Sequence, residues 1–311
     1  MIRPSRRALL VGACTMLAST VVSCVPDPRI RRYSGQRSTA IPGELPELVS
    51  RLHLVAARST VVDHPWASEL ATLFTIHATV IARSNPLGGV QADPTPRPGL
   101  DRVATPDEET SATWDQIVSD CTEIVPLTRF LARDAGTSMG LLYGSTGLVA
   151  QVVSGNDLTA LPPPVVGNTV PITLSGDLAT DSAGILLARQ DELIFVLEAV
   201  LGHLTDPARR DLVAGWLGQA HKDRDEMIVG LSTTGITLSA SAPDQELAFD
   251  PSAASTHDQQ IGAREAAIMA AWLRFHAANP SLLPEHHHLA GIHAVRAMER
   301  GIPLTTWPGW V

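Results

Sequence analysis

Cysteine is nearly missing from this chain: of 311 residues only Cys14, Cys24 and Cys121 carry a thiol. No disulfide framework is available, so stability has to come from a packed apolar core. Cys121, in a helical pattern, reads as a small buried hydrophobe. Aromatic residues are also sparse, at 4%. The apolar content is mostly Ala, Leu, Val and Ile with few period-two runs, which argues against a sheet protein and for helices; the expected fold class is all-α. A basic excess is absent as well. The formal net charge is −9, which excludes nucleic acid as a natural partner. Catalytic signatures are lacking too. "LLYGSTGLVAQ" contains Gly144-Ser145-Thr146-Gly147, without the G-x-S-x-G spacing of a nucleophile elbow. "HLAGIHAVRAMER" lacks the H-E-x-x-H order of zincins, and there is no phosphate loop or paired C-x-x-C. The expected role is therefore non-catalytic.

What is present begins with the opening, "MIRPSRRALLVGACTMLASTVVSCVPDP". Arg3, Arg6 and Arg7 precede an apolar run from Ala8 to Val22 and a small residue before Cys24, the order of parts in an export signal. The run is shorter than the roughly 20 apolar residues of a spanning helix. Val21-Val22-Ser23-Cys24 resembles the lipobox of bacterial lipoproteins, in which the cysteine is acylated and becomes the mature N-terminus. Ser5-Arg6-Arg7-Ala8-Leu9-Leu10 resembles a twin-arginine signal, although the general secretory route also uses a basic start. The expectation is a signal over 1–23, lipidation (palmitate or a related acyl chain) at Cys24, and a protein tied by that lipid to the outer face of the cytoplasmic membrane. Loss of the three signal arginines leaves a mature charge of about −12.

Residues 24–44 carry Pro, Gly and Arg without a period and read as a flexible tether. A helical region is expected over 45–154, with helices at 46–58, 65–84, 110–134 and 138–153. Residues 155–180, with Pro162-Pro163-Pro164, read as a linker. A second helical region is expected over 181–311. Its helices run from about 182 to 204, from Asp206-Pro207 to about 231, from 254 to 277, and from Pro284 to Gly301. Four helices with a long central link predict an antiparallel four-helix bundle.

The segments "LLARQDELIFVLEAVLGHL", "LGQAHKDRDEMIVGL", "IGAREAAIMAAWLRFHAA" and "AVRAMERGIPLTTWPGW" resemble the ferritin-like domain of unassigned function found in actinobacterial envelope lipoproteins. The resemblance covers residues 181–311 and implies a ferritin-like bundle, with no activity attached. In the wider superfamily a di-iron centre takes a Glu from each of two helices and Glu-x-x-His from each of the other two. The corresponding candidates here are Asp191 on the first helix, with Glu192 and Glu198 nearby, and His221 on the second, which has Gly218 three residues earlier. The third helix offers Glu265 within its apolar stripe, and the fourth offers Glu285 with His288. That set is depleted, so the cofactor expectation is none, with a transition metal as the alternative.

His221, in "WLGQAHKDRDEM", falls four residues after Leu217 on the apolar face of its helix, which makes it a metal ligand, a proton carrier or a core histidine. His286, His287, His288 and His293 form a second imidazole-rich stretch suited to Zn, Cu or Ni. His77, in "LFTIHATVIAR", occupies in the first region a place like that of His221 in the second, alongside His53 and His64. This suggests a duplication without a residue-by-residue repeat. The leading expectation is an exported, lipid-anchored protein that binds an envelope partner or ligand. An envelope metal-binding protein using Asp191, His221 and Glu265 is the alternative, and a di-iron oxidoreductase the third.

Overall fold

A computed structural model describes residues 43–101, 111–174, 178–236, 249–282 and 286–310. Contacts divide the chain into Met1–Ala40 and Ile41–Val311, and all the described residues lie in the second unit. The signal with Arg6 and Arg7, the lipidation position Cys24, nearly all of the tether, and Glu285 lie outside the described residues.

Among the described residues the fold is all-α, as the composition indicates, with isolated bridges but no strand. None of the helices is long and apolar enough to cross a membrane. There are eight: α1 (Glu44–Ser59), α2 (Ala67–Ala82), α3 (Trp114–Arg133), α4 (Thr137–Gly155), α5 (Leu178–His203), α6 (Pro207–Thr233), α7 (His257–Ala278) and α8 (Leu289–Glu299). Their ends follow local chemistry. Thr113 and Gln116 form a capping box, each side chain accepting from the other's backbone N–H, and this starts α3. Asp206 caps α6 by accepting from the Ala208 N–H, with Pro207 in the first turn. Gly301, at φ +79, lets the chain turn out of α8, with Ile302 N–H donating to the Ala297 carbonyl. The fourth helix of the second region is shorter than the pattern from Pro284 predicts: His286, His287 and His288 precede it in a turn.

The two helical regions share one apolar core, and residues 155–174 run along it rather than between separate bodies. Within the first region α1 packs on α2 and α3, and α3 on α4. Within the second, α5 packs on α6 and α7, and α7 on α8. The same order of neighbours thus occurs in both regions. They join where α4 packs against α7 and α8. On α4, Gly140 sits where a Cβ would come 3.3 Å from the Ala277 carbonyl, so the lack of a side chain allows the helices to approach closely.

The C-terminal segment, residues 302–310, ties both regions together. His77 Nε2–H on α2 donates to the Thr306 carbonyl (2.7 Å), the Ser145 hydroxyl on α4 donates to Pro308, and Arg274 Nε–H on α7 donates to Gly309 (2.8 Å). Val165 N–H donates to Leu304 and Gly167 N–H to the Thr306 hydroxyl, both at 2.7 Å, which secures the 155–174 stretch. Trp307, 1% exposed, stacks on His77 with ring centroids 4.2 Å apart. Burial lowers the His77 pKa to about 4, so the ring is a neutral structural group.

Trp307→Ala should cost about 3–5 kcal/mol in urea denaturation, typical of a buried aromatic truncated in a core. A loss under about 1 kcal/mol would show that the segment is not a fastening.

Candidate functional site

Four carboxylates of the second region, three part-exposed and one buried, each meet a basic side chain of the same chain. Asp191 on α5 accepts from Arg224 Nε on α6 at 2.5 Å. Glu192, one residue on, takes Arg189 at 2.6 Å and lies 3.9 Å from Arg264 Nε of α7. Asp223 on α6 accepts from Arg296 Nη1 of α8 at 3.0 Å. Glu265 on α7 meets His293 on α8, whose Nδ1–H donates to Oε2 at 2.6 Å; both side chains are at most 5% exposed. Arg300 closes the group: its guanidinium lies 4.1 Å over the Trp216 ring. Burial lowers its pKa, and the nearby carboxylates of Glu265, Glu299 and Asp258 oppose that shift.

These positions sort the residues picked out from sequence. Glu265 is buried, as its place in the stripe implies, but its partner is His293, not His288 or His221. His288 is exposed, and its backbone carbonyl accepts from the Gln151 side chain. His221 is half exposed, with Nε2 3.9 Å from Glu198 at the surface. The stripe that α6 buries runs through Val213, Ala220, Met227 and Leu231; His221 lies one position beyond it, about 100° around the helix. The expected apolar placement of His221 is therefore corrected. Asp191 is committed to Arg224. Among the described residues, no group of three or more His, Cys, Asp or Glu side chains is arranged to hold a metal ion. Of the carboxylates a di-iron centre would need, Asp191 is paired with Arg224 and Glu265 with His293, and Glu285 lies outside the described residues.

A second cluster is one the sequence reading missed. A cleft of about 380 Å³ opens between α3, α4 and the α7–α8 corner. Its floor is buried and mainly apolar, with Leu148, Leu273, Ala277 and Ala290, and Gly140, Gly144 and Gly147 line its α4 side. Arg129 and Arg133 stand exposed at its mouth. At the floor is His276, 8% exposed, stacked with His287 (centroids 3.9 Å apart) and with Trp272 (5.4 Å). Neither His276 ring nitrogen has a hydrogen-bond partner of normal geometry among the described residues. Burial pushes its pKa down to about 3, with His287 adding to the shift and the nearby His286 backbone opposing it. The ring is thus neutral, with one N–H and one lone pair unmet. The lining comes from 125–151 and 273–290, which no single sequence window joins. Comparison with protein-family models, curated proteins and solved structures finds no match for this chain.

The Glu265–His293 pair yields a direct test. Glu265→Leu should cost about 3–5 kcal/mol because it strands a buried partner. Adding His293→Leu should recover part of that loss, which a double-mutant cycle measured by chemical denaturation would read. Strict additivity would show that the two groups do not act as a pair.

Proposed function

We propose that this chain is a lipid-anchored envelope protein with a metal-free ferritin-like bundle and a non-catalytic binding role. The observation that carries the metal-free part is the pairing of the second region's carboxylates. Asp191 and Asp223 hold Arg224 and Arg296 from neighbouring helices, Glu192 holds Arg189 of its own helix, and buried Glu265 holds His293 of α8. A di-iron protein spends such carboxylates on the metal; here they fix helix to helix. The neighbour order supports the ferritin-like reading. α5 beside α6 and α7, and α7 beside α8, give the adjacency of an antiparallel bundle, and the Arg296–Asp223 and Arg300–Trp216 contacts link α8 back to α6. The 23 residues between α6 and α7 suffice for a long crossover. The lipid anchor rests on "VVSC" at 21–24 and on the basic and apolar segments before it.

Purified without an affinity tag, the protein should contain no stoichiometric transition metal. Its Tm should not respond to Fe²⁺, Mn²⁺ or Zn²⁺, since an ion that binds only the native state raises stability by RT ln(1 + [L]/Kd). One or two equivalents of bound metal together with a Tm rise abolished by Glu265→Leu would overturn the metal-free reading. A metal shift that survives Glu265→Leu and disappears on changing His286 and His293 would overturn it in favour of the imidazole-rich stretch.

For the anchor, Cys24→Ala should move the protein from the membrane fraction to the soluble fraction. Full retention on membranes would overturn the lipid-anchor reading.

A further inference from the structure

The 380 Å³ cleft between α3, α4 and the α7–α8 corner is within the size range of small-molecule sites, roughly 300–1,000 Å³. Its polarity is one-sided. Among the described residues, Arg129 and Arg133 mark the mouth and His287 the side, and no carboxylate lines it. Arg133 is only loosely engaged, 3.8 Å from exposed Asp134 and 5.0 Å over the Phe130 ring. Arg129 makes no ion pair among the described residues, although burial beside its neighbours lowers its pKa. Two guanidiniums at one opening match a carboxylate, which they bind through charge-assisted hydrogen bonds. Below them, Leu148, Leu273 and Ala277 offer only apolar surface. At the base stands His276, buried, with no partner of normal hydrogen-bond geometry at either ring nitrogen among the described residues and with the His286 backbone close by.

Buried polar groups are satisfied in the great majority of cases, and an imidazole left with two unmet groups is costly. The ring stacks on Trp272 and His287, and stacking satisfies neither ring nitrogen. A neutral imidazole presents one donor and one acceptor, and a hydroxyl complements both at once.

We propose that this cleft binds a small hydroxylated organic acid: its carboxylate between Arg129 and Arg133, its apolar body along Leu148 and Leu273, and its hydroxyl at His276. The assignment rests on the binding role proposed above and names the ligand class. It does not depend on the metal-free bundle or the lipid anchor, because none of Asp191, Glu192, Asp223 and Glu265 lines the cleft.

The test uses the full chain carrying Cys24→Ala, titrated calorimetrically with a length series of ω-hydroxy carboxylates, the matching plain carboxylates and the matching diols. At the length that fits, the hydroxy acid should bind about 5- to 10-fold more tightly than the plain acid, the scale of one or two net hydrogen bonds. The diol should bind at least about 10-fold more weakly, because it lacks the charge. His276→Phe should erase the hydroxyl preference, bringing the ratio to about one, while the unliganded protein keeps or raises its Tm. Arg129→Gln, at an exposed position that leaves the fold undisturbed, should weaken both acids by about 10-fold and the diol not at all. The proposal is overturned if no acid of the series binds, if acid and diol bind alike, or if the hydroxyl preference survives His276→Phe. Metal content measured on the same sample separates this outcome from the previous one: metal-loaded protein that still binds the acid sinks the metal-free bundle alone.

Discussion

The burial of α7 is the constraint on which the rest of this structure depends. α7 packs against α5 and α8 of its own region and against α4 of the first, so its buried set extends over Ile261, Gly262, Glu265, Ile268, Trp272, Phe275 and His276. No solvent face remains along much of its length, and each polar group there has to be answered from a neighbour. Glu265 is answered by His293. Gly140 lets α4 approach closely enough to cover the far side. The C-terminal segment then seals the junction through Arg274, Ser145 and His77, one residue from each of three helices. Because a single core runs through α1 to α8, the two regions stand or fall together.

The ion pairs inside the bundle have a consequence for what the bundle is for. Burying opposite charges stabilises a fold little, since desolvation consumes most of the Coulomb gain, but removing one partner is expensive. Such pairs therefore select an arrangement of helices. A metal ion would do the same as a shared cross-link between four helices. Basic side chains do it piecewise: Arg224 joins α6 to α5, Arg296 joins α8 to α6, and His293 joins α8 to α7.

How much of this was legible in the sequence depended on the range of the interaction. Helix ends written in adjacent residues were legible, as with Thr113-x-x-Gln116 and Asp206-Pro207, and all eight helices fall close to where the periodicity puts them. The all-α class followed from composition. His221 was misjudged because α6 buries a narrow line spaced by sevens, and on so polar a helix a shift of one position costs nothing in the pattern. Glu265 was legible as buried, while its partner was not. Yet His293, three residues after Ala290 and four before Ala297, carries the same stripe signal, and the runs of His before it drew attention away. The shared core and the cleft were illegible in principle, since they depend on which small-residue face of α4 meets which face of α7.

His276 is where local economy and the whole structure disagree. A Phe or Leu at that position would fill similar space, stack on Trp272 as well, and leave no donor or acceptor stranded. The buried imidazole is the less stable choice on every count the folded chain provides, and cores that depart from that economy do so at sites with another purpose. Its neighbours indicate the purpose, because the ring forms the floor of a cleft whose mouth carries two guanidiniums and whose walls, among the described residues, carry no opposing charge. A group that the fold leaves unsatisfied, placed where a molecule of opposite charge is drawn in, is satisfied only when that molecule arrives.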